Sequence, residues 1–476
     1  MIEKIIISII AIGLLLTTPI VTLNAFELES LVINDSGPFD CYTLVNPFFS
    51  KNTYLIDNNG TIVNMWQSDY FKSLPAYLLE NGSLLRSCAL QPFSSQFWHG
   101  GLGGRVEMFD WDGNLIWNFE HIGDDYCLHN DIEVLPNGNI LMIVWNYKTR
   151  SEAIAAGIDP NDPELIENGY MLTDYIIEVE PTFPSGGNIV WEWHVWDHLI
   201  QDEFPYKDNY GVVADHPELL DINYKGRYYD ITHINSIEYI EKFDQILISA
   251  RMNNEIWVID HSFKKTESPN SSSGILYRWG NPQVYDAGDE DDQILFMQHD
   301  ARWIEEGLPG EGHITIYNNG LYRPGEDYSS IIEIDPPVDS NGDYHLEPFS
   351  AYGPEETEWI YTAKNPTDFY SPQMSGAQRL PNGNTRVCCG DPGYFFEVTP
   401  DNEIVWEYFN PYPVPYPLPY PYINRIYKTQ CYAKDYPGIR EFSTSIESRT
   451  VESEATFTED SQNYQQQSLP FSSPSN

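Results

Sequence analysis

One short pattern recurs along this chain: an apolar strand that ends in an acidic residue, a turn, and a second strand that carries a tryptophan. Five copies end at Trp66, Trp117, Trp191, Trp279 and Trp406. A sixth copy, SSIIEIDPPVDSNGDYHLEPF, keeps the strand and the turn but has Phe349 where the tryptophan is expected. Because each repeat is one supersecondary unit that must pack on its neighbours, the pattern restricts the chain to a repeat-built fold.

A second hairpin lies between consecutive copies. LPNGNIL at 135–141 and LPNGNTRV at 380–387 are near-copies, and LLENGSLL at 78–85 is a looser relative. Their Asn-Gly pairs supply the positive φ angles that a tight turn needs. Two hairpins per unit give four strands, the content of one propeller blade. We therefore predict an all-β fold, a six-bladed β-propeller with four-stranded blades over residues 52–436, with insertions near 150–170, 199–229 and 338–372. A seven-bladed ring and two β-sandwiches are the alternatives.

The two ends of the chain differ from the repeats. Lys4 precedes an uncharged apolar run at 5–16, and Ala25 is a small residue at a cleavage position, which predicts a secretory signal peptide at 1–25. An uncleaved N-terminal anchor is the alternative. Residues 26–51 form an N-terminal extension, and the Ser-, Glu- and Gln-rich tail at 437–476 is predicted to be disordered. PYPVPYPLPYPY at 411–422 cannot be a central strand, because its prolines lack ladder donors.

The charge and the cysteines restrict the partners and the compartment. With 71 Asp and Glu against 25 Lys and Arg, the formal net charge is −46, so nothing basic could neutralise the phosphates of a nucleic acid. The 6 cysteines fit an oxidising compartment, their spacing is not that of a zinc site, and their pairing stays open. We expect an extracytoplasmic protein with no membrane contact beyond the N-terminus, and a homodimer is one assembly compatible with the sequence.

Three consecutive units place a histidine at the start of the strand that opens the hairpin between repeats. These are His129 in LHNDIEVLPNGNIL, His233 in DITHINSIEYIEKFDQILIS and His299 in QHDARWIEEGLPGEGHITIY. Unit five has Met374-Ser375-Gly376 there. Because rotation about the propeller axis relates equivalent strand starts, we predict that the three imidazoles converge near that axis.

Cationic and amide side chains accompany these histidines. Asn235 follows His233 by two residues, on the same side of an extended strand, and Arg251 ends the strand after the His233 turn. Arg302 follows His299 by three residues. Guanidinium groups fork onto tetrahedral oxyanions, so a pocket of this kind suits sulfate or phosphate esters better than neutral substrates.

These segments together resemble the aryl-sulfate sulfotransferases, secreted six-bladed propellers that move a sulfuryl group between phenols without the nucleotide donor PAPS. The resemblance runs from about residue 100 to 410 and rests on WEWHVWDHL, DITHINSI, ISARMNNEIWVID, GILYRWGNP, QHDARW, SGAQRLPNGN and FFEVTPDNEIVWEYFNP. It implies a ping-pong reaction between an aryl sulfate donor and a phenolic acceptor, with no cofactor.

The resemblance also implies roles for individual residues. His299 matches the histidine that takes the sulfuryl group covalently. The sulfate-binding histidine, asparagine and arginine of the family fall on His233, Asn235 and Arg251, and a further active-site histidine falls on His129. We add Arg302 as a substrate-binding residue.

Two departures place the chain on a shorter branch of this family. The larger bacterial members carry an N-terminal β-sandwich, for which the residues between the signal and Asn52 are too few. They also carry a disulfide shortly before the nucleophilic histidine, whereas no cysteine lies between Cys127 and Cys388 here.

Two other functions fit the histidine pattern. Three converging imidazoles could ligate a metal, although Arg251 nearby would repel a cation and we predict no metal site. A non-catalytic extracellular propeller that binds a ligand or a partner is the second alternative, and it would turn over no sulfate donor.

Overall fold

A computed structural model describes residues 37–70, 74–90, 97, 101, 103–224, 229–262, 274–348, 350–412, 414–415 and 422–442. The predicted signal peptide, Phe349 and nearly all of the predicted tail lie outside these residues. None of the helices in the described ranges is long and apolar enough to cross a membrane.

The described chain is mostly β-strand, with three short α-helices: α1 (Arg150–Ala156), α2 (Pro163–Asn168) and α3 (Pro437–Arg440). The strands are β1 (Cys41–Val45), β2 (Asn52–Ile56), β3 (Ile62–Gln67), β4 (Ala76–Leu78), β5 (Leu84–Ala89), β6 (Gly104–Phe109), β7 (Leu115–Glu120), β8 (Tyr126–Val134), β9 (Ile140–Thr149), β10 (Tyr170–Pro181), β11 (Gly187–His194), β12 (Leu199–Ile200), β13 (Leu220–Asp221), β14 (Ile234–Ile240), β15 (Gln245–Ala250), β16 (Glu255–Asp260), β17 (Ile275–Trp279), β18 (His299–Trp303), β19 (Ile314–Asn318), β20 (Ser330–Ile334), β21 (Trp359–Tyr361), β22 (Gly376–Arg379), β23 (Thr385–Cys389), β24 (Tyr394–Val398), β25 (Ile404–Phe409), β26 (Val414–Pro415), β27 (Tyr422–Ile423) and β28 (Gln430–Ala433). Short 3₁₀ helices lie at Val195–Asp197, Val213–Asp215, Arg251–Asn253, Pro282–Tyr285, Glu290–Asp292 and Pro366–Asp368.

Six four-stranded antiparallel sheets form the blades of a β-propeller, which confirms the predicted fold class. From the channel outward, blades 1 to 6 have the strand orders β28–β1–β2–β3, β4–β5–β6–β7, β8–β9–β10–β11, β14–β15–β16–β17, β18–β19–β20–β21 and β22–β23–β24–β25. The three hairpins predicted from their Asn-Gly turns are β4–β5, β8–β9 and β22–β23, each the inner hairpin of a blade.

The ring is closed by the C-terminal strand. β28 pairs antiparallel with β1 in blade 1, with Thr43 opposite Cys431. A disulfide joins Cys41 to Cys431 across this pair, over a sequence separation of 390 residues. Because β1 lies ahead of residue 52, the ring begins earlier than the boundary that the sequence indicates. The four remaining cysteines are buried and form no disulfide: Cys88, Cys127, Cys388 and Cys389.

The repeated tryptophans join neighbouring blades at their outer strands. In five blades the indole N–H donates to a backbone carbonyl in the outer turn of the next blade. Each indole therefore covers its own blade and satisfies a carbonyl of its neighbour. The contacts are Trp66 to Asp110 at 2.9 Å, Trp117 to Gly186 at 2.8 Å, Trp279 to Pro354 at 2.9 Å, Trp359 to Pro400 at 3.1 Å and Trp406 to Asn58 at 2.9 Å.

Blade 5 corrects one detail of the repeat. Its outer strand carries Trp359, which lies opposite Glu333 just as Trp406 lies opposite Glu397 in blade 6. The sequence repeat had assigned this position to Phe349. The long insertion between β20 and β21 places the tryptophan ten residues further along the chain, so the sixth copy was found without its tryptophan.

The insertion after β9 consists of two capped helices. Thr149 and Glu152 form a capping box at the start of α1, and Asp162 caps α2 ahead of Pro163. Their buried faces, with Ala153 and Leu165, join the apolar cluster of blades 3 and 4. The insertion is therefore part of the packed ring.

The disulfide gives the first prediction. Replacing Cys41 and Cys431 together by serine should lower the free energy of unfolding by about 2–5 kcal/mol, because the crosslink restricts the unfolded chain across nearly the whole ring. Urea unfolding with and without a reductant measures this. The reductant should destabilise the wild type and leave the double variant unchanged. A wild-type midpoint that does not respond to reductant would contradict this role of the disulfide.

Candidate active site

The inner strands of the blades run side by side and contact one another through a repeated hydrogen bond. An inner-strand oxygen accepts a backbone N–H of the next blade, and three such contacts join four consecutive blades. It joins Asp131 to Ile237 at 3.3 Å, Ser236 to Ala301 at 3.1 Å and Asp300 to Ala377 at 3.1 Å.

Measured from this contact, the three predicted histidines do not occupy equivalent positions. His129 lies two residues before Asp131, His233 three before Ser236 and His299 one before Asp300. Irregularities in β8, β14 and β18 allow the rings to converge nevertheless. Positive φ angles mark these irregularities, at Asn130 (51°), His233 (47°) and Asp300 (49°).

His129 is enclosed by blade 3. Its Nε2 lies 2.7 Å from Oδ1 of Asp174, and its ring stacks on Trp145 with centroids 4.0 Å apart. Since a carboxylate only accepts, Nε2 carries the proton. The buried Nδ1 has no hydrogen-bond partner in the described structure. Burial lowers the pKa of His129, against the opposite influence of Asp174.

His233 lies beside His129, with ring centroids 6.0 Å apart. Nδ1 of His233 is 2.6 Å from Oδ2 of Asp230, which also accepts from the indole N–H of Trp145 at 3.1 Å. The carboxylate therefore places the proton of a neutral His233 on Nδ1, so that Nε2 carries the lone pair of the ring.

The state of His299 follows from the orientation of Asn319. The amide nitrogen of Asn319 donates to the carbonyls of Ser371 and Met374, at 2.8 and 3.0 Å. Its oxygen is therefore the atom that lies 2.7 Å from Nδ1 of His299. Nδ1 carries the proton, and Nε2 keeps a lone pair, to which the N–H of Met374 donates at 3.2 Å. Burial, reinforced by the Arg251 charge, lowers the pKa of His299 well below its ordinary value, so the imidazole is neutral at pH 7.

The remaining predicted residues are placed differently from one another. Arg251 acts electrostatically on His299 from the 3₁₀ turn that follows β15. Asn235 is buried, and its amide nitrogen donates to the Gln298 carbonyl at 2.8 Å, tying β14 to the start of β18. Tyr427 donates its hydroxyl to the Asn235 carbonyl, and its ring lies 6.5 Å from that of His299.

Arg302 belongs to a different layer of the channel. It donates to both carboxylate oxygens of Asp300, at 3.0 and 3.1 Å, and to Gln430 at 3.1 Å. Asp300 also pairs with Lys428 at 2.8 Å, and Lys428 pairs with Asp131 at 2.7 Å. We call Asp131, Asp300, Arg302 and Lys428 the channel ion cluster. The side chains of the two aspartates and Lys428 are at most 4% exposed.

Sequence reasoning missed the residues that orient the histidines. Asp230 stands three residues before His233, a spacing that the sequence displays, whereas Asp174 lies on β10 and Asn319 directly follows β19. Only the folded chain brings these groups to the channel, so long-range pairing is what the sequence could not supply. The residues beside the histidine rings are Trp145, Asp174, Asp230, Asn319 and Tyr427. Lys428, also missed, belongs to the channel ion cluster.

Among the described residues, no group of three or more His, Cys, Asp or Glu is arranged to hold a metal ion. The contacts instead assign each histidine an oxygen partner or a ring neighbour, so the arrangement suits proton transfer and nucleophilic attack.

The family model described as arylsulfotransferase matches residues 34–410. The chain belongs to the arylsulfotransferase family. Membership supports sulfotransferase function in general, and the family implies an aryl sulfate donor and a phenolic acceptor.

Solved structures that resemble this chain are distant. A protein of unknown function from Bacteroides caccae shares 11% identity at a TM-score of 0.45, covering 83% of this chain and 99% of its own. A periplasmic gluconolactonase from Pseudomonas aeruginosa shares 8% identity at a TM-score of 0.39, covering 83% and 99%. Streptogramin B lyase shares 12% at 0.37, covering 80% and 85%. No curated protein matches the chain.

The channel ion cluster gives the second prediction. Lys428→Met should lower the free energy of unfolding by about 3–5 kcal/mol, because it leaves two buried carboxylates without their shared cation. Lys434→Met is the matched control, since Lys434 pairs with Asp40 on the surface at 2.8 Å, with side chains 51% and 68% exposed. Its cost should stay under about 1 kcal/mol. Equal losses in urea unfolding would contradict a structural role for the cluster.

Proposed function

We propose that this arylsulfotransferase moves the sulfuryl group of an aryl sulfate ester to a phenol by a ping-pong mechanism, without PAPS, through a sulfohistidine at His299. The observation that carries the proposal is the neutral His299 ring, with its proton held on Nδ1 by Asn319 and a lone pair on Nε2. A nucleophilic imidazole needs this protonation state.

In the first half-reaction, Nε2 of His299 attacks sulfur, the S–O ester bond breaks, and the phenolate leaves with the bonding electrons. The ring becomes cationic, and the Nδ1 hydrogen bond to Asn319 supports that charge. Donor binding would displace the Met374 N–H from Nε2, which frees this amide for a sulfuryl oxygen. Arg251 supplies the fixed positive charge for the remaining oxygens.

In the second half-reaction, the acceptor phenol attacks sulfur, and the N–S bond breaks to restore neutral His299. A base must take the phenol proton, and the same group must protonate the phenolate that leaves in the first step. We assign this group to His233, whose side chain is 13% exposed while that of His129 is fully buried. His233 would enter the cycle as an imidazolium, give its Nε2 proton to the leaving phenolate, and regain a proton at Nε2 from the acceptor phenol. His129, stacked on Trp145, supports the wall of the site.

We also propose that the protein works outside the cytoplasm. Two observations support this: the apolar run at 5–16 in the sequence, and the disulfide between Cys41 and Cys431, a bond typical of oxidising compartments.

His299→Asn should reduce turnover of a chromogenic aryl sulfate with phenol by about a thousandfold or more, because no imidazole remains to accept the sulfuryl group. His216→Asn is the matched control, since His216 lies on the surface with a side chain 46% exposed, and it should keep full turnover. Thermal unfolding of both variants checks the fold. Full turnover by a folded His299→Asn variant would refute the covalent role.

The pH profile tests Arg251. A positive charge disfavours the imidazolium, so removing it in Arg251→Met raises the pKa of His299 toward its ordinary value. The acidic limb of the rate of phenol release from the donor should therefore move to higher pH than in the wild type. An unchanged limb, or one moved to lower pH, would show that the Arg251 charge does not act on the nucleophile.

A further inference from the structure

A cavity of about 350 Å³ opens at the end of the channel away from the histidines. The inner strands of all six blades contribute to its wall, each through residues at or near its C-terminal end. On β8, for example, His129 belongs to the histidine site, whereas Glu133 faces this cavity. Four residues of strand separate the two sites by on the order of 10 Å. We call this second space, lined by Glu133, the glutamate cavity.

The channel ion cluster lies between the two sites. Lys428 and Arg302 line the glutamate cavity, and both pair with Asp300 beneath it. Among the described lining residues there is no His129, His233 or His299. The glutamate cavity is therefore a second compartment of the channel, separate from the nucleophile.

The charges of the cavity wall do not balance. Each basic group of the wall is neutralised by an acid outside the wall: Lys428 by Asp131 and Asp300, and Arg302 also by Asp300. The third, Arg379, pairs with Glu333. The wall also contains three glutamates, Glu133, Glu238 and Glu305, and none of them forms an ion pair within the described residues.

Two of these glutamates have spare acceptor capacity inside the cavity. Glu133 makes no hydrogen bond or ion pair within the described part of the chain, and one oxygen of Glu238 accepts the Trp303 N–H at 2.5 Å. Burial raises the pKa of Glu133 well above its ordinary value and that of Glu238 to about 8. Arg302 acts against this rise at both glutamates and Lys428 at Glu133, but neither cation forms an ion pair with them among the described residues, so burial still prevails. The groups that act on them are Asp131, Asp300, Glu305, Arg302 and Lys428, besides each other.

The rest of the wall is apolar and aromatic, with side chains such as Leu308, Leu380 and Tyr436. Among the described residues, no group of three His, Cys, Asp or Glu side chains is placed to hold a metal ion. We propose that the glutamate cavity binds an organic cation, an amine whose ammonium group pairs with Glu133 and Glu238 and whose apolar body packs against the wall. The volume suits a small-molecule ligand.

Titration of the full chain with n-hexylamine at pH 8.5, followed by ligand-observed NMR, tests this proposal, with n-hexanol as the neutral probe. The wild type should bind the amine about tenfold more tightly than the alcohol, as expected for a charge-assisted hydrogen bond to a carboxylate. The preference should weaken at pH 6, because the raised pKa of Glu238, about 8, leaves that glutamate protonated there. The variant Glu133→Gln with Glu238→Gln should lose the preference.

The same titration separates this proposal from sulfuryl transfer. His299→Asn should bind the amine as the wild type does, whatever the outcome of the sulfotransferase assay. Equal binding of amine and alcohol by the wild type would overturn the proposal, as would a double glutamine variant that keeps the preference. Displacement of the amine by calcium chloride would overturn it in favour of an inorganic cation.

Discussion

Closure of the ring is the constraint on which the rest of the structure depends. Blade 1 would lack its inner strand unless the C-terminal strand returned to it, and β28 supplies that strand by pairing with β1. The segment that leads into β28 carries Tyr427 and Lys428 into the channel. Closure therefore places Tyr427 beside the histidine site and supplies Lys428, the cation that the two channel aspartates share. The disulfide between Cys41 and Cys431 holds this one non-sequential pairing.

The channel is divided by charge into two compartments. On one side, carboxylates and an amide set the tautomers of three imidazoles, and burial, reinforced by the Arg251 charge, lowers the pKa of His299. On the other side, three glutamates face a cavity whose cations are already paired. The channel ion cluster between them is neutral, since two aspartates meet one lysine and one arginine.

Much of the fold could be predicted from the sequence, because the Asn-Gly hairpins and the tryptophan strands are local signals. The insertion before Trp359 disrupted the repeat in blade 5. The pairing of β1 with β28 was missed because β28 lies almost four hundred residues away, although β1 also pairs with the neighbouring β2. For the site, the three histidines were visible as strand starts, although bulges rather than strict rotation bring them together. Asp174 and Asn319 could not be found, since only pairing between strands and blades places them at the rings. Arg302 lies near His299 in sequence but belongs to the layer below, because its guanidinium turns toward Asp300.

The central claim is that His299 bonds to sulfur during turnover, since its tautomer and depressed pKa prepare it as a nucleophile. The most direct test is intact-mass spectrometry of the protein quenched after brief exposure to an aryl sulfate in the absence of a phenol. This mechanism predicts one added sulfuryl group, located on His299 by peptide mapping and lost when phenol is added. An unmodified protein under conditions of active transfer, or a sulfuryl group on another residue, would contradict it.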